Sequence, residues 1–231
     1  MASKIYFIRH GITEGNKNRW FYGAADLPLA EEGREQLLHL KEQGVYPVLP
    51  DNAQYLTSCL KRTEETLRLL YGDVPHTKIP ELNEMDFGEY ECKNFEELKE
   101  DPVFLEWGYD TTGDAVLPGG ESRNRFNSRV IEGAKEVVAL HRLKELSVRH
   151  NGRDAVTMVV CHGGVISAVM QYFFPGEKRT MWDWIPEPGS GYELEMRDGA
   201  PACARVIGKA GDGLIDTIND FEEQNGRGPI E

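Results

Sequence analysis

Strand-like and helix-like segments alternate along this chain from its N-terminus. Short apolar strands are predicted at residues 5–8 and 54–57, and a further short strand at 76–80. The run AVTMVV, residues 155–160, is continuous and rich in β-branched residues, which is typical of a strand buried on both faces. This order predicts an α/β fold class with a three-layer α/β/α architecture and a mainly parallel central sheet.

Helices are predicted between the strands and after the last parallel one. The first covers about 29–43, although Ala30 lies where Ser or Thr would normally cap its start. A second helix follows the 54–57 strand. A long helix begins with Ser122 as its N-cap, and the sequence HGG after the buried strand opens a helix that extends through 166–172.

Length and segment order predict a single domain. At 231 residues the chain fits one large α/β domain with a substantial core. We assign 1–210 to this domain, including an insertion at about 85–121 that is irregular and rich in turn residues, as an active-site lid would be. A hairpin turned at Asp198-Gly199 is predicted near its end. The polar, Gly-rich tail 211–231 is expected to be peripheral.

The composition excludes several classes of protein. A formal net charge of −13 argues against nucleic-acid partners, because phosphate backbones are bound by clustered Lys and Arg. The apolar runs are too short to cross a bilayer and no signal-peptide pattern is visible, so we expect a cytoplasmic protein without membrane contact. The four cysteines show neither CxxC nor Cys/His ligand spacing, which argues against structural zinc. No metal or bound cofactor is expected.

Polar residues follow each of the predicted parallel strands. They are Arg9 and His10 after the first strand, Ser58 and Arg62 after the second, Glu84 after the third and His162 after the buried strand. Ligands of open α/β sheets bind in the crevice at the carboxyl ends of the strands. Residues that are distant in sequence are therefore expected to converge there.

The chemistry of these residues fits a phosphoryl group. Two guanidinium groups match phosphate oxygens, and the backbone N–H groups of a helix start after Gly11 add positive potential. His10 can be neutral near pH 7 and accept the group covalently, provided that one ring nitrogen faces phosphorus while the other donates to a fixed acceptor. His162 is placed to donate to the equatorial oxygens, and Glu84 to protonate the leaving oxygen and then activate water.

The motifs that carry these residues resemble those of the histidine phosphatase superfamily, which includes cofactor-dependent phosphoglycerate mutases. The resemblance spans roughly residues 4 to 170 in family order. The matching motifs are Arg9-His10-Gly11 with Thr13 and Asn16, Ser58-x-x-x-Arg62-Thr63-x-x-Thr66, Leu82-x-Glu84-x-x-Phe87-Gly88 and His162-Gly163-Gly164. Jointly they are highly specific.

The resemblance implies a phosphoglycerate mutase-like fold, a phosphohistidine intermediate on His10 and Glu84 as proton donor. The positions expected to contact phosphate or substrate are Arg9, Gly11, Asn16, Gly23, Arg62, His162 and Gly163. The implied partners are a small phosphorylated metabolite as substrate and inorganic phosphate as product. A homodimer is left open.

The branch of the family is predicted from two departures. Mutases that resemble this family carry Asn after the second His-Gly and a longer insertion before it, whereas this chain has Gly164 and a compact segment. Both favour a phosphatase, and the lid sequence is similar to small-molecule phosphatases that include α-ribazole phosphatases. The alternatives are a 2,3-bisphosphoglycerate-dependent mutase, to whose substrate carboxylate Lys93, Arg123 and Arg125 could contribute, and a non-catalytic anion-binding module.

The remaining conspicuous residues are interpreted as structural. The other histidines lack partners at ligand spacing; they are His39, His76, His141 and His150. The lid aromatics are expected to anchor the lid to the domain more than to contact a leaving group; they are Phe95, Phe104, Trp107 and Tyr109.

Overall fold

The structure is a computed structural model that describes residues 2–177 and 179–208. Its strands are β1 (Ser3–Arg9), β2 (Trp20–Phe21), β3 (Gln54–Thr57), β4 (Thr77–Lys78), β5 (Lys93–Asn94), β6 (Ala155–Cys161), β7 (Gly191–Arg197) and β8 (Ala200–Ile207). Its α-helices are α1 (Glu14–Lys17), α2 (Glu31–Glu42), α3 (Lys61–Tyr71), α4 (Phe95–Leu98), α5 (Pro102–Tyr109), α6 (Arg123–Val148) and α7 (Gly163–Phe173). The tail predicted to be peripheral, 211–231, lies outside the described residues.

The central sheet contains six strands in the order β4-β3-β6-β1-β7-β8. The pairs β4–β3, β3–β6 and β6–β1 are parallel, whereas β7 and β8 add an antiparallel edge. The mainly parallel sheet predicted from the sequence is therefore confirmed. The hairpin is confirmed too, because β7 and β8 meet at Asp198 and Gly199, both with positive φ. A separate ribbon pairs β2 with β5.

Strand β6 lies at the centre of the fold. All seven of its residues are buried, as its unbroken apolar sequence predicts. Along the neighbouring β1, side chains alternate between two cores: Ile5 and Phe7 pack with residues of α6 and α7, and Tyr6 and Ile8 pack with residues of α2 and α3. Helices therefore cover both faces of the sheet, which confirms the three-layer arrangement.

Helix boundaries follow the local signals. Ala30 precedes α2 and makes no side-chain capping bond, as expected, whereas Ser122 caps α6 by accepting from the Arg125 amide at 3.1 Å. Helix α6, predicted to be long, extends over 26 residues. Among residues 2–177 and 179–208, no helix combines the length and apolar character that a membrane crossing requires.

The lid segment, residues 85–121, builds an apolar cluster of its own. The cluster consists of Tyr90, Phe95, Leu98, Phe104 and Leu117, with Phe21, Phe87 and Trp107 packed against it. Phe104 is 1% exposed and contacts the rings of Phe21 and Trp107. Trp107 also packs against the main core and Phe104 contacts Phe21 outside the segment, so these two aromatics connect it to the domain as predicted, whereas Phe95 packs within the segment's own cluster.

His141 is the one buried histidine of the four interpreted as structural. On α6 it bonds through Nδ1 to the Thr157 hydroxyl of β6 and through Nε2 to the Ser3 hydroxyl of β1, each at 2.8 Å. His39, His76 and His150 are exposed. Burial lowers the pKa of His141, so the folded protein takes up a proton at this site only at lower pH than the unfolded chain does.

This difference predicts a pH-dependent stability. As the pH falls below about 6.5, the unfolded chain binds protons that folded His141 does not, and stability is lost by up to about 1.4 kcal/mol per pH unit for this group. His141→Gln should weaken the fall in unfolding free energy between pH 7.5 and 5.5, measured by urea denaturation. His39→Gln, at an exposed position, is the matched control. Parallel pH slopes for wild type and His141→Gln would contradict this assignment.

Candidate active site

The predicted residues meet at the carboxyl edge of the parallel strands. Arg9 ends β1, and the amide of His10 donates to the carbonyl of Cys161, the last residue of β6, at 3.0 Å. His162 follows β6 directly, and Ser58 follows β3. The rings of His10 and His162 lie with centroids 5.3 Å apart and planes at 63°. The convergence expected from the strand order is therefore present.

His10 is held in one tautomer by its own turn. Its Nδ1 lies 2.7 Å from the carbonyl oxygen of Gly11. A carbonyl oxygen only accepts, so Nδ1 carries the proton and Nε2 keeps a lone pair. Burial lowers the pKa of His10 well below its usual range, and the charges of Arg62 and Arg9 lower it further. His10 is therefore a neutral imidazole whose Nε2 carries the free lone pair.

Gly11 allows close packing behind His10. A Cβ at this position would lie 2.7 Å from Leu37 Cδ1, so a side chain here would push α2 away from the end of β1. The Gly11 amide donates to the Thr66 hydroxyl of α3 at 3.1 Å. Gly11 thus fixes the turn that orients His10, and a direct phosphate contact from it stays a prediction.

Arg62 extends from the first turn of α3 into the site and is fully buried. Its NH1 and NH2 donate to the carbonyls of Ala25 and Gly23 at 2.8 and 2.7 Å, and its Nε donates to Nδ1 of His162 at 3.2 Å. The guanidinium carbon lies 5.0 Å from the centre of the Tyr22 ring. Burial lowers the pKa of Arg62, but an arginine remains charged. A rigidly held cation results.

The loop 23–25 that receives Arg62 is itself held by Glu91. The Glu91 carboxylate accepts from the amides of residues 23, 24 and 25 at 2.9–3.1 Å, and from the amide of Phe87 at 2.9 Å. A Cβ at Gly23 would lie 1.6 Å from the carbonyl oxygen of Met85, so only glycine fits there. Gly23 therefore acts on the site through its carbonyl and this close approach, and a direct substrate contact stays a prediction.

Asn16 is oriented by two neighbours. Its amide oxygen accepts from the Thr13 amide at 3.0 Å and from the Tyr22 hydroxyl at 2.9 Å, while the Thr13 hydroxyl donates to Tyr22 at 2.6 Å. Burial raises the pKa of Tyr22, which keeps the phenol protonated. With the oxygen of Asn16 engaged, its NH2 group remains as a fixed donor.

His162 is a second neutral imidazole. Its Nδ1 accepts from Arg62, so in this neutral ring the proton lies on Nε2, which donates to the Ser58 hydroxyl at 2.8 Å. Burial lowers the pKa of His162 well below its usual range, with Arg62 and His10 adding to the effect. The adjacent Gly163 allows close approach, because a Cβ there would lie 3.1 Å from Arg9 Nε.

Glu84 lies on the loop after β4 and contacts the start of α7. Its two carboxyl oxygens accept from the amides of Met85 and Gly164, each at 3.0 Å. Burial raises the pKa of Glu84, although these bonds and the charges of Arg62 and Arg9 oppose the shift. A Cβ at Gly164 would lie 2.6 Å from Glu84 Oε1, so the glycine leaves room for the carboxyl group.

Arg9 supplies a donor that the described protein atoms do not use. Its NH1 donates to the carbonyl of Pro186 at 2.8 Å, while its buried Nε has no hydrogen-bond partner among the described residues. A buried unsatisfied donor costs about 1–3 kcal/mol, so its presence favours a function. With Arg62, Arg9 creates a local positive potential inside an acidic chain, which suits a small anion.

Several site residues were not identified from the sequence. Tyr22, Glu91, Glu121 and Arg129 each hold a predicted residue or its loop, yet none carries a local signal of this role. In a chain with 39 acidic residues, a carboxylate that binds backbone amides cannot be distinguished from solvated ones by pattern. Among the residues that the structure describes, no three His, Cys, Asp or Glu side chains cluster as metal ligands would.

The Glu91 contacts generate a prediction for anion binding. Glu91→Gln replaces one carboxylate oxygen by an NH2 group that cannot accept from the 23–25 amides, so the loop that fixes Arg62 should relax. We expect the dissociation constant for inorganic phosphate, measured by calorimetry, to rise about tenfold. This corresponds to a loss of ~1.4 kcal/mol of binding free energy, the size of one hydrogen bond to a charged group. Glu89→Gln, on the exposed side of the same lid, serves as control. Unchanged phosphate binding in Glu91→Gln would refute the role of Glu91.

The chain is similar to known phosphatases and mutases. The chain is 31% identical over 199 residues to an adenosylcobalamin/alpha-ribazole phosphatase of Escherichia coli K12, covering 84% of this chain and 90% of that protein. It is 27% identical over 164 residues to a 2,3-bisphosphoglycerate-dependent phosphoglycerate mutase of Parvibaculum lavamentivorans, covering 61% and 75%.

A solved structure, the alpha-ribazole phosphatase from Shigella flexneri, superposes with a TM-score of 0.69 at 26% identity, covering 90% of this chain and 96% of that one. The family model of the histidine phosphatase superfamily (branch 1) matches residues 5–207. On this match the chain belongs to the histidine phosphatase superfamily.

Proposed function

We propose that this protein is a metal-independent phosphomonoesterase that hydrolyses a small phosphorylated metabolite through a phosphohistidine on His10. The observation that carries the proposal is the bond from His10 Nδ1 to the Gly11 carbonyl, which leaves Nε2 as a nucleophile within 5.3 Å, ring to ring, of His162. The named phosphatases among the relatives support the reaction class.

In the first half-reaction, the Nε2 lone pair of His10 attacks phosphorus and the ester P–O bond breaks. The proton of the Glu84 carboxyl group passes to the leaving oxygen, giving the free alcohol, a phosphohistidine and a Glu84 carboxylate. In the second, this carboxylate takes a proton from water as the water oxygen attacks phosphorus. The P–N bond breaks, inorganic phosphate leaves, and His10 and protonated Glu84 are restored.

The opposite pKa shifts of His10 and Glu84 make this protonation pattern available. With ordinary values of about 6.5 and 4.3, a neutral imidazole would coexist with a protonated carboxyl in only a small fraction of molecules. Burial lowers the pKa of His10 and raises that of Glu84, so the required form becomes more populated. Activity should fall at high pH as Glu84 loses its proton and at low pH as His10 gains one.

The transferred group is stabilised by fixed donors. Arg9 and Arg62 bind phosphate oxygens, and the NH2 group of Asn16 adds a neutral donor. A phosphate dianion beside His162 favours its protonated form, in which Nε2 stays on Ser58. Nδ1 can then donate to the phosphate only if the bond that it accepts from Arg62 Nε is broken. The amide of Gly163 lies at the N-terminus of α7, and the positive potential at this helix end also favours a bound phosphate.

Phosphatase is favoured over mutase by the relatives and by Gly164. The alpha-ribazole phosphatase match covers 84% of the chain and the mutase match 61%. Alpha-ribazole phosphate is accordingly the first substrate to test. Cytoplasmic location and the lack of nucleic-acid partners stay predictions from the sequence.

A panel of phosphate esters tests the reaction class. Phosphate release and isomer formation are followed in EDTA, with and without 2,3-bisphosphoglycerate. We expect phosphate release that EDTA does not affect, and an acid-labile phosphoenzyme that His10→Ala abolishes while His39→Ala retains it. Conversion of one phosphoglycerate isomer to the other at a rate above phosphate release would establish the mutase instead, and full turnover by His10→Ala would exclude the mechanism.

Glu84→Gln tests the general acid. The amide cannot donate the required proton, so kcat/KM for alkyl phosphates should fall by about 10²–10⁴-fold. For 2,4-dinitrophenyl phosphate, whose leaving group needs no proton, kcat/KM should change less than about threefold, and the loss of kcat/KM at high pH should disappear once substrate titration is divided out. Glu106→Gln, exposed on the lid, is the control. Equal losses for both substrates would argue against Glu84 as the acid.

A further inference from the structure

We propose that Arg129, paired with Glu121, is a positioning residue that sets where the Glu84 carboxyl lies, an inference that rests on the proposed role of Glu84. The need for such a residue follows from how Glu84 is bound. Its carboxyl group accepts from two backbone amides, those of Met85 and Gly164. The position of the acid therefore depends on where the backbone of its own loop runs.

That loop, residues 81–86, has little regular structure to hold it. It leaves a single 3-10 turn at Pro80–Leu82 and enters the lid without joining a strand. Its carbonyl groups are turned toward helix α6. Arg129 NH1 donates to the carbonyls of Glu81 and Asn83 at 2.9 and 2.8 Å, and NH2 donates to the carbonyl of Glu84 itself at 3.3 Å.

Arg129 lies on a part of helix α6 that is packed against the main core. Its neighbours on α6, Phe126 and Val130, are buried in the main core, and the guanidinium lies 5.3 Å from the centre of the Phe126 ring. The planar guanidinium carries five N–H donors in a fixed arrangement, which lets one side chain bind the carbonyls of residues 81, 83 and 84 and a carboxylate. An ammonium group in the same place has no such fixed fork.

Glu121 extends the same restraint to the far side of Glu84. It is 7% exposed, and its carboxylate bonds to Arg129 through both Nε and NH2. One of its oxygens also accepts from the amide of Asp86 at 3.1 Å, and the Glu121 amide donates to the Asp86 carbonyl at 2.9 Å. The ion pair therefore binds the chain on both sides of Glu84, from residue 81 to residue 86.

These contacts separate Arg129 from Arg9, whereas Arg62 differs from Arg129 because its Nε donates to the ring of His162 inside the site. Arg9 has an unpaired buried Nε, whereas the Nε, NH1 and NH2 atoms of Arg129 all donate to protein oxygens. Arg129 thus acts on the reaction through Glu84, and its loss should impair proton donation more than phosphate binding.

The test uses kcat/KM for a series of aryl and alkyl phosphates with the full-length protein. This parameter covers the steps up to departure of the leaving group, so it isolates the acid role of Glu84 from water activation. Arg129→Gln should lose about 10–100-fold on alkyl phosphates, part of the range for a general acid, and less than about threefold on 2,4-dinitrophenyl phosphate. Arg129→Lys should restore little of the loss.

Arg142→Gln is the matched control, because Arg142 lies on the same helix and donates in the same way to the carbonyl of Gly199, far along the chain. It should leave the leaving-group dependence unchanged. Circular dichroism and thermal melting monitor folding, and if Arg129→Gln does not fold, Glu121→Gln, which keeps one acceptor oxygen, should show the same dependence with smaller amplitude.

Equal losses on activated and unactivated substrates, or no loss, in the folded variant would overturn the proposal and leave Arg129 a merely structural residue. The result is separable from the proposed function itself. If Glu84→Gln shows no dependence on the leaving group, the general acid assignment fails. If Glu84→Gln shows it and Arg129→Gln does not, only the positioning role fails.

Discussion

The parallel pairing of β1 with β6 is the constraint on which the site depends. Its register matches Ser3 with Ala155 and Arg9 with Cys161. The chain therefore leaves both strands at the same level, and the residues that follow, His10 and His162, face each other. A shift of one residue would turn every β1 side chain to the opposite core and separate the two rings. The buried apolar faces of both strands prevent such a shift.

Burial at this edge also decides the protonation states. Two imidazoles and two guanidiniums in one enclosed space make each histidine less basic, while the same enclosure makes Glu84 a weaker acid. One cause, the loss of solvation, thus lowers the pKa of His10 and raises that of Glu84, as their proposed roles of nucleophile and general acid require. The energy for holding these groups comes from the two apolar cores on either side of the sheet.

Hydrogen bonds from charged side chains to backbone groups hold the other loops of the site in place. Glu91 binds the amides of 23–25, and through their carbonyls it fixes Arg62. The Arg129–Glu121 pair binds the loop that carries Glu84. Both Glu91 and Glu121 belong to residues 85–121, so this one segment supports both the loop that binds Arg62 and the loop that carries Glu84.

The residues of the candidate site were predictable from the sequence. His10, Glu84, His162 and the two arginines belong to types that the proposed phosphoryl transfer needs. Arg9, His10 and His162 lie at the ends of strands with a clear apolar pattern, whereas Glu84 follows the short, exposed strand β4. The order of parallel strands then predicts their convergence, because a parallel sheet presents all its carboxyl ends on one edge. Local patterns also gave the buried β6, the Ser122 cap and the hairpin at Asp198-Gly199.

Only the tertiary structure decided how those groups are held. The bonds from Arg62 to Gly23, from Gly164 to Glu84 and from Arg129 to Glu81 join residues 39, 80 and 48 positions apart. Backbone amides and carbonyls make most of these contacts, and every residue possesses them, so side-chain sequence carries no mark of which ones pair. The sequence alone determined the chemistry available at the sheet edge, whereas packing of the folded chain determined its tautomers, its pKa shifts and its supports.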